Sequence, residues 1–295
     1  MGSGRVSDGE NLPQAPKPAG GCFKGTTVIV REIECKSILT KSGIEAVDYA
    51  LNPYVGCEHG CVYCYARFMK RFTGHKEEWG TFVDVKVNAA KVLARQMKRA
   101  KPSNVTFGTV TDPYQPLEKK YEITHACLEV LTAYDCPVSI LTKSDLVLRD
   151  LDLLCRLRDV KVGFTITALD DEVRQVFEPR SSPVTSRLVA LAELAGAGIK
   201  TWAFCGPLLP LLSDGEEQMD ALFEELARAG VSYIIVDSMK LSGAIGGRVG
   251  RALEEHYPDL VEGYRHIAAN RRPYHEALMD RARILAEKHG LAWGR

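Results

Sequence analysis

The chain has 295 residues, of which 45% are hydrophobic and 26% charged, the balance of a folded globular protein and not of a disordered one. Thirty-eight Lys and Arg cancel thirty-eight Asp and Glu, so no net field draws the molecule to nucleic acid or to a membrane surface. No run approaches the ~18 to 20 apolar residues of a membrane helix and no apolar signal core opens the chain; the nine cysteines are therefore expected in a reducing cytoplasm, as thiols and metal ligands.

Residues 1–25 are rich in Gly, Ser and Pro and read as a mobile tail. From there the elements alternate. A strand ends in the segment Tyr49–Val55, and β-rich runs follow at Asn104–Thr109, Pro137–Thr142, Val160–Thr167, Ile199–Phe204 and Val231–Val236. Helical patterns separate them. Ile123, Cys127, Val130, Leu131 and Tyr134 share one face. Ser182 and Pro183 open a helix through Leu188, Leu191 and Leu194 that ends at Gly196 or Gly198. Asp214 with Glu217 resembles a capping box before Met219, Leu222, Phe223 and Leu226, and Gly230 stops that helix. Beyond Val236 the chain turns helical, with spans at Tyr257–Ala269 and Pro273–Lys288. Such alternation predicts parallel strands with right-handed crossovers, in six βα units, two short of a closed eight-stranded barrel. No Gly-x-Gly-x-x-Gly turn supports a dinucleotide-binding sheet instead. The expected organisation is a tail (1–25), a barrel core (26–240) and a helical C-terminal extension packed on it (241–295). In such a fold, groups at the C-terminal ends of the strands converge on one site.

Chemistry concentrates in Asn52-Pro-Tyr-Val-Gly-Cys57-Glu-His-Gly-Cys61-Val-Tyr-Cys64-Tyr-Ala-Arg67. Three cysteines spaced four and then three residues apart, in a loop with Gly56 and Gly60, can turn three thiolates toward one soft metal centre. Zinc would need a fourth ligand, for which His59 is the local candidate. A [4Fe–4S] cluster held by three thiolates leaves one iron open to a substrate or cofactor. Three cysteines with no metal is the plain alternative; the ligand count favours the cluster. Of the other cysteines, Cys127 and Cys155 fall on apolar helix faces, Cys136 precedes a strand, and Cys22 and Cys35 have no partner spacing. Cys205 closes a strand, where its thiol either packs in the core or faces the site as a hydrogen-atom donor.

The Cys-x-x-x-Cys-x-x-Cys loop resembles the signature of the radical S-adenosylmethionine (SAM) superfamily. The flanking Asn52-Pro-Tyr-x-Gly-Cys and Cys61-Val-Tyr-Cys64-Tyr-Ala are similar to its branch related to spore photoproduct lyase. Thr109-Val-Thr-Asp112-Pro-Tyr-Gln-Pro, Leu141-Thr-Lys143-Ser144 and Gly163-Phe-Thr-Ile-Thr167 follow in the expected order. The resemblance spans about Ile44 to Val236. It implies an α/β fold, a partial (β/α)6 barrel of the TIM type, with a [4Fe–4S] cluster on Cys57, Cys61 and Cys64. It further implies that SAM binds the open iron and is cleaved reductively, the resulting 5′-deoxyadenosyl radical taking hydrogen from a substrate. A flavodoxin- or ferredoxin-type protein would supply the electron.

The same resemblance implies individual roles. Lys143 would pair with the SAM carboxylate, Tyr63 and Tyr65 would pack near the adenine, and Thr111, Asp112 and Thr165 would complete the cofactor contacts. Tyr114 joins Cys205 as a candidate for the chemistry itself, because Asp112-Pro-Tyr-Gln sits at a strand end. Glu178 and Arg180, after the fourth βα turn, are candidates for contact with substrate or with SAM hydroxyls, or for pairing with each other, and Asp237-Ser-Met-Lys240 faces the same mouth. Gly243-Ala-Ile-Gly-Gly247 reads as a flexible turn or an anion cradle.

Spore photoproduct lyase carries a donor cysteine shortly before its SAM-contacting serine, and alignment on Asp112 puts Thr109 there. A hydroxyl O–H bond is too strong to replace a thiol in returning hydrogen. That departure, with zero net charge, weighs against inheriting a DNA-lesion substrate. A zinc-dependent nucleic-acid-binding module is the competing class. Local basic groups (Arg95, Lys98, Arg99, Lys101, and Arg271, Arg272) read as solvated helix faces.

Overall fold

In the computed structural model, which describes residues 27–294, every expected β-rich run becomes a strand of one sheet. The tail and Cys22 lie outside the described residues. In chain order the strands are β1 (Ile29–Ile33), β2 (Leu39–Lys41), β3 (Tyr49–Leu51), β4 (Tyr54–Val55), β5 (Phe82–Lys86), β6 (Val105–Phe107), β7 (Val138–Thr142), β8 (Val160–Thr165), β9 (Lys200–Leu208), β10 (Tyr233–Ser238) and β11 (Ala292–Trp293). The large sheet has the order β11-β10-β9-β8-β7-β6-β3-β2. From β3 through β6 to β10 each strand pairs in parallel with the next, giving six βα units. β2 pairs antiparallel with β3 at one edge and β11 parallel with β10 at the other, so the barrel is partial and stays open between them. β1, β5 and β4 form a separate small sheet.

Side chains alternate across each strand, and the buried apolar set faces outward to the helices. Leu51, Phe107, Ile140, Phe164, Ala203, Cys205 and Val236 share one core cluster with Leu128, Leu194, Leu222 and Leu285 from the covering helices. The other set, including Thr106, Leu141, Gly163, Thr165 and Phe204, faces the concave side. Gly163 is required there, because a Cβ would lie 2.1 Å from the Trp202 indole, which crosses the lumen. Trp202 stacks on Tyr233 with centroids 5.7 Å apart, filling the end of the barrel where the strands begin. The opposite end, where the strands finish, carries the polar groups.

Several local expectations need correction. Asp214 does not cap its helix: Gly215 is the N-cap of Glu216–Arg228, while Asp214 accepts hydrogen bonds from Leu211 N (2.6 Å) and the Tyr274 hydroxyl (2.7 Å). The last helix begins at Arg271, with Pro273 tolerated in its first turn. The segment Gly243–Gly247 is not a loose turn but the start of the helix Gly243–His256. Cys127 is buried, as its face requires, whereas Cys155 is exposed. Val249, Leu253, Tyr257 and Tyr264 of the C-terminal helices share a second core with Phe177, Leu209 and Met239, against which Val62 and Tyr63 of the cysteine loop pack.

Candidate functional site

The cysteine loop leaves β4 through Gly56, whose φ of +90° only glycine adopts easily; a Cβ there would lie 2.4 Å from the Phe82 carbonyl oxygen. Cys57 and Cys61 are buried and Cys64 is half-buried. Side chains from distant segments hold the loop by its peptide groups. The Thr111 hydroxyl donates to Gly56 O (2.9 Å), and Glu58 N donates to Gln115 Oε1 (2.9 Å). Arg180 donates to Gly80 O (2.6 Å), and Arg248 donates to Val62 O (2.9 Å) and Cys64 O (3.0 Å). Arg180 also reaches Glu58 O (3.4 Å), so it braces the loop directly.

Asp112, in the segment that follows β6, is the hinge of the site. Its carboxylate accepts from the Thr142 hydroxyl (2.7 Å), from Lys143 N (2.8 Å) and from Tyr114 N (2.9 Å). His59 Nδ1 lies 3.3 Å from the same group, outside hydrogen-bond angles. Burial works against the charged form of Asp112, but His59, Lys143 and these donors prevail and hold its pKa at about 2. Pro113 keeps Asp112 out of the helical region, which aims the carboxylate across to β7.

Lys143 follows β7 and is half-buried. Burial would lower its pKa, yet Cys61, Glu178 and Asp112 outweigh burial and raise it, so the residue is a firm cation. Among the described residues its ammonium has no hydrogen-bond or ion-pair partner. Glu178 is committed elsewhere: it pairs with buried Arg187 at 2.6 Å, and accepts from the Tyr63 hydroxyl and from Thr167 Oγ1 (3.3 Å). Arg187 also donates to Thr165 O (2.8 Å), tying the end of β8 to this group.

The structure therefore gathers Cys57, Cys61, Cys64, Tyr63, Tyr65, Thr111, Asp112, Lys143 and Thr165 around one barrel mouth. Tyr65 is exposed and its hydroxyl rests on Thr109 O. Thr109 in turn accepts from Asn52 Nδ2 (2.9 Å). Two candidates lie apart. Tyr114 is wholly buried, its hydroxyl donating to Asp150 (3.0 Å) in a polar cluster with Arg149, His125 and Glu118. Cys205 sits on the helix-facing side of β9, where burial alone pushes its thiol up to about 12. Sequence reasoning passed over Arg187 and Arg248, which have no local motif and reach the loop only through the fold; Asn52 and Gln115 stood within the quoted motifs.

The donor set fits a soft metal cluster. Burial first, and then neighbouring negative charge, raises the Cys57 thiol; burial raises Cys64, and brings Cys61 up to about 12 although Lys143 opposes it. Burial thus keeps these thiols protonated, and a bound metal would take them as thiolates with release of their protons. A mononuclear zinc centre fits less well. His59 is turned to Asp112, and among the described residues no three Cys, His, Asp or Glu side chains close around one ion.

Residues 51–226 match the family model of the radical SAM superfamily. The chain belongs to that superfamily. An uncharacterized protein of Mycobacterium tuberculosis is 33% identical over 285 residues, covering 92% of this chain and 83% of the relative. A radical SAM Nα-GlyT isomerase of Pseudomonas phage M6 is 26% identical over 187 residues, covering 62% of this chain and 38% of that protein. Among solved structures, spore photoproduct lyase with a dinucleoside spore photoproduct superposes with a TM-score of 0.66 at 22% identity, over 90% of this chain and 81% of that one. A doubly substituted variant of that lyase, with bound AdoMet and the same dinucleoside, gives 0.67 at 21%, over 95% and 87%. These likenesses show the fold, a radical SAM partial barrel. No helix among the described residues is long and apolar enough to cross a membrane.

Proposed function

We propose that this radical SAM protein holds a [4Fe–4S] cluster on Cys57, Cys61 and Cys64, cleaves SAM reductively beside it, and takes a hydrogen atom from an organic substrate. The observation that carries this reading is the Lys143 cation held at the mouth between Cys61, Glu178 and Asp112, its ammonium without a bonded partner among the described residues. When bound, the cluster and SAM supply the one-electron cleavage that yields a 5′-deoxyadenosyl radical. The chain's own residues bind and orient. Lys143 would meet the SAM carboxylate in a charge-assisted hydrogen bond. Asp112 positions it by gripping its backbone N–H, and Glu178 fixes the Tyr63 ring through the hydroxyl. Thr111 supports the loop at Gly56, while Tyr65 and Thr165 border the cofactor. The packed core around Tyr63 and Val62 keeps water from the reacting centre.

The lyase and the phage isomerase are named for different reactions, so the proposal stops at hydrogen abstraction. A dinucleoside-lesion substrate is the second reading, favoured by the superposition on the lyase complex. In this chain the aligned donor position holds Thr109, whose side chain accepts from Asn52, so hydrogen return would need another group.

Anaerobic reconstitution with iron and sulfide tests the proposal. The expected protein is brown, binds about four irons and four sulfides, and releases 5′-deoxyadenosine from SAM under dithionite. Replacing Cys61 by Ala abolishes both. A colourless protein that retains one zinc under the same treatment would overturn the reading.

A further inference from the structure

The short helix that follows the cysteine loop, Tyr65–Phe72, is unusual for a surface. It exposes three aromatic rings, Tyr65 (53%), Phe68 (43%) and Phe72 (66%). Tyr65 and Phe68 stack with centroids 6.4 Å apart, and the Arg71 guanidinium lies over both Phe68 (5.5 Å) and Phe72 (4.6 Å). From Tyr65 to Lys76 the chain carries Arg67, Lys70, Arg71 and Lys76 and no acidic residue. The helix Gly243–His256 adds Arg248 and exposed Arg251, close enough to Arg67 for the three to repel one another. Glu78 faces this group, and Glu77 is taken by His75 at 2.9 Å. A chain of zero net charge has thus gathered cations and rings on one side. That side adjoins Cys64, the most exposed of the three loop cysteines, whose carbonyl Arg248 holds.

We infer that this basic, aromatic face is the docking surface for an acidic one-electron carrier protein of the flavodoxin type. The inference rests on the function proposed above and names the partner of that same site. Charge complementarity selects an acidic surface, and the exposed Phe68 and Phe72 rings offer the apolar anchors that a transient interface buries at its centre. Position selects an electron carrier. An electron entering beside Cys64 crosses the least protein to reach the cysteine loop, whereas the substrate must approach the open barrel mouth. In the transfer the donor's flavin hydroquinone loses one electron and the loop's metal group gains it.

The test compares the anaerobically reconstituted wild-type chain with an Arg71→Glu/Arg251→Glu variant, neither residue having a hydrogen bond to the loop among the described residues. Affinity for an oxidised bacterial flavodoxin, measured by calorimetry, is expected to fall about tenfold in the variant and steeply with salt in the wild type. Bleaching of the visible absorbance by flavodoxin hydroquinone slows in parallel, and bleaching by dithionite is unchanged. Equal flavodoxin affinity in the two proteins would overturn the inference. So would a face that binds a single-stranded oligonucleotide and ignores flavodoxin. Failure of dithionite itself to bleach the wild type would refute the proposed function instead, which separates the two.

Discussion

Two groups of partly buried charge each draw a carboxylate from the β6–β7 connection, Asp112 in one and Glu118 in the other, and they are built to different ends. Around Arg149 everything is paired: its guanidinium donates to Glu118 (2.8 Å) and to Asp150 (2.8 and 2.9 Å), and Asp150 also accepts from Tyr114 (3.0 Å) and contacts His125 Nδ1 (2.8 Å). Around Lys143 the carboxylates are paired with other groups, and the ammonium is left attracted yet unbonded. A saturated cluster specifies a fold; an unsaturated one awaits a ligand. Asp112 grips the Lys143 backbone N–H, and its charge acts on the Lys143 ammonium without a direct contact.

Substitutions can break this contrast. The largest effect is expected for Arg149→Met, which strands two buried carboxylates and should cost about 3 kcal/mol of stability, read as a lower urea midpoint with SAM binding per folded molecule preserved. Lys143→Met should do the reverse. Stability stays within about 1 kcal/mol, because no bonded partner is orphaned, while SAM affinity measured by equilibrium dialysis falls at least about tenfold, or about 1.4 kcal/mol. If Lys143→Met instead unfolds the chain and leaves SAM affinity intact, the two clusters have the same purpose. The smallest effect belongs to Asp171, a partly exposed carboxylate that Arg174 holds at a pKa of about 2. Its folded value lies below the unfolded one, so its stabilisation is present above pH ~4 and is lost as pH falls toward ~2. Solvent screening limits it to roughly 1 kcal/mol, and Asp171→Asn should flatten the acid limb of the urea-midpoint profile by that amount.

The barrel was legible because its strands announce themselves: apolar runs such as Val138–Thr142 and Val160–Thr165 are buried on their helix-facing side and are bounded by helix signals. β1, β5 and the helix Ala89–Met97 were not anticipated. Five-residue strands in a small side sheet, interleaved with charge as in Ile-Val-Arg-Glu-Ile, carry too little pattern to stand out. Within the site, the cysteine loop and Lys143 were readable as local spacing beside strand ends. The direction of Cys205 was not, since one step in strand register decides between lumen and core. Nor could the sequence reveal that Glu178 would pair with Arg187, which lies beyond the nearer Arg180, because helix Val184–Gly196 turns back over β8 to bring it there.

The central claim, that three cysteines and a free lysine make a site for a cluster with SAM beside it, meets its most direct test in low-temperature electron paramagnetic resonance of the dithionite-reduced, reconstituted chain. The account predicts the spectrum of a reduced four-iron cluster that changes shape when SAM is added, and changes far less in Lys143→Met at the same SAM concentration. A spectrum indifferent to SAM in the wild-type protein would contradict it.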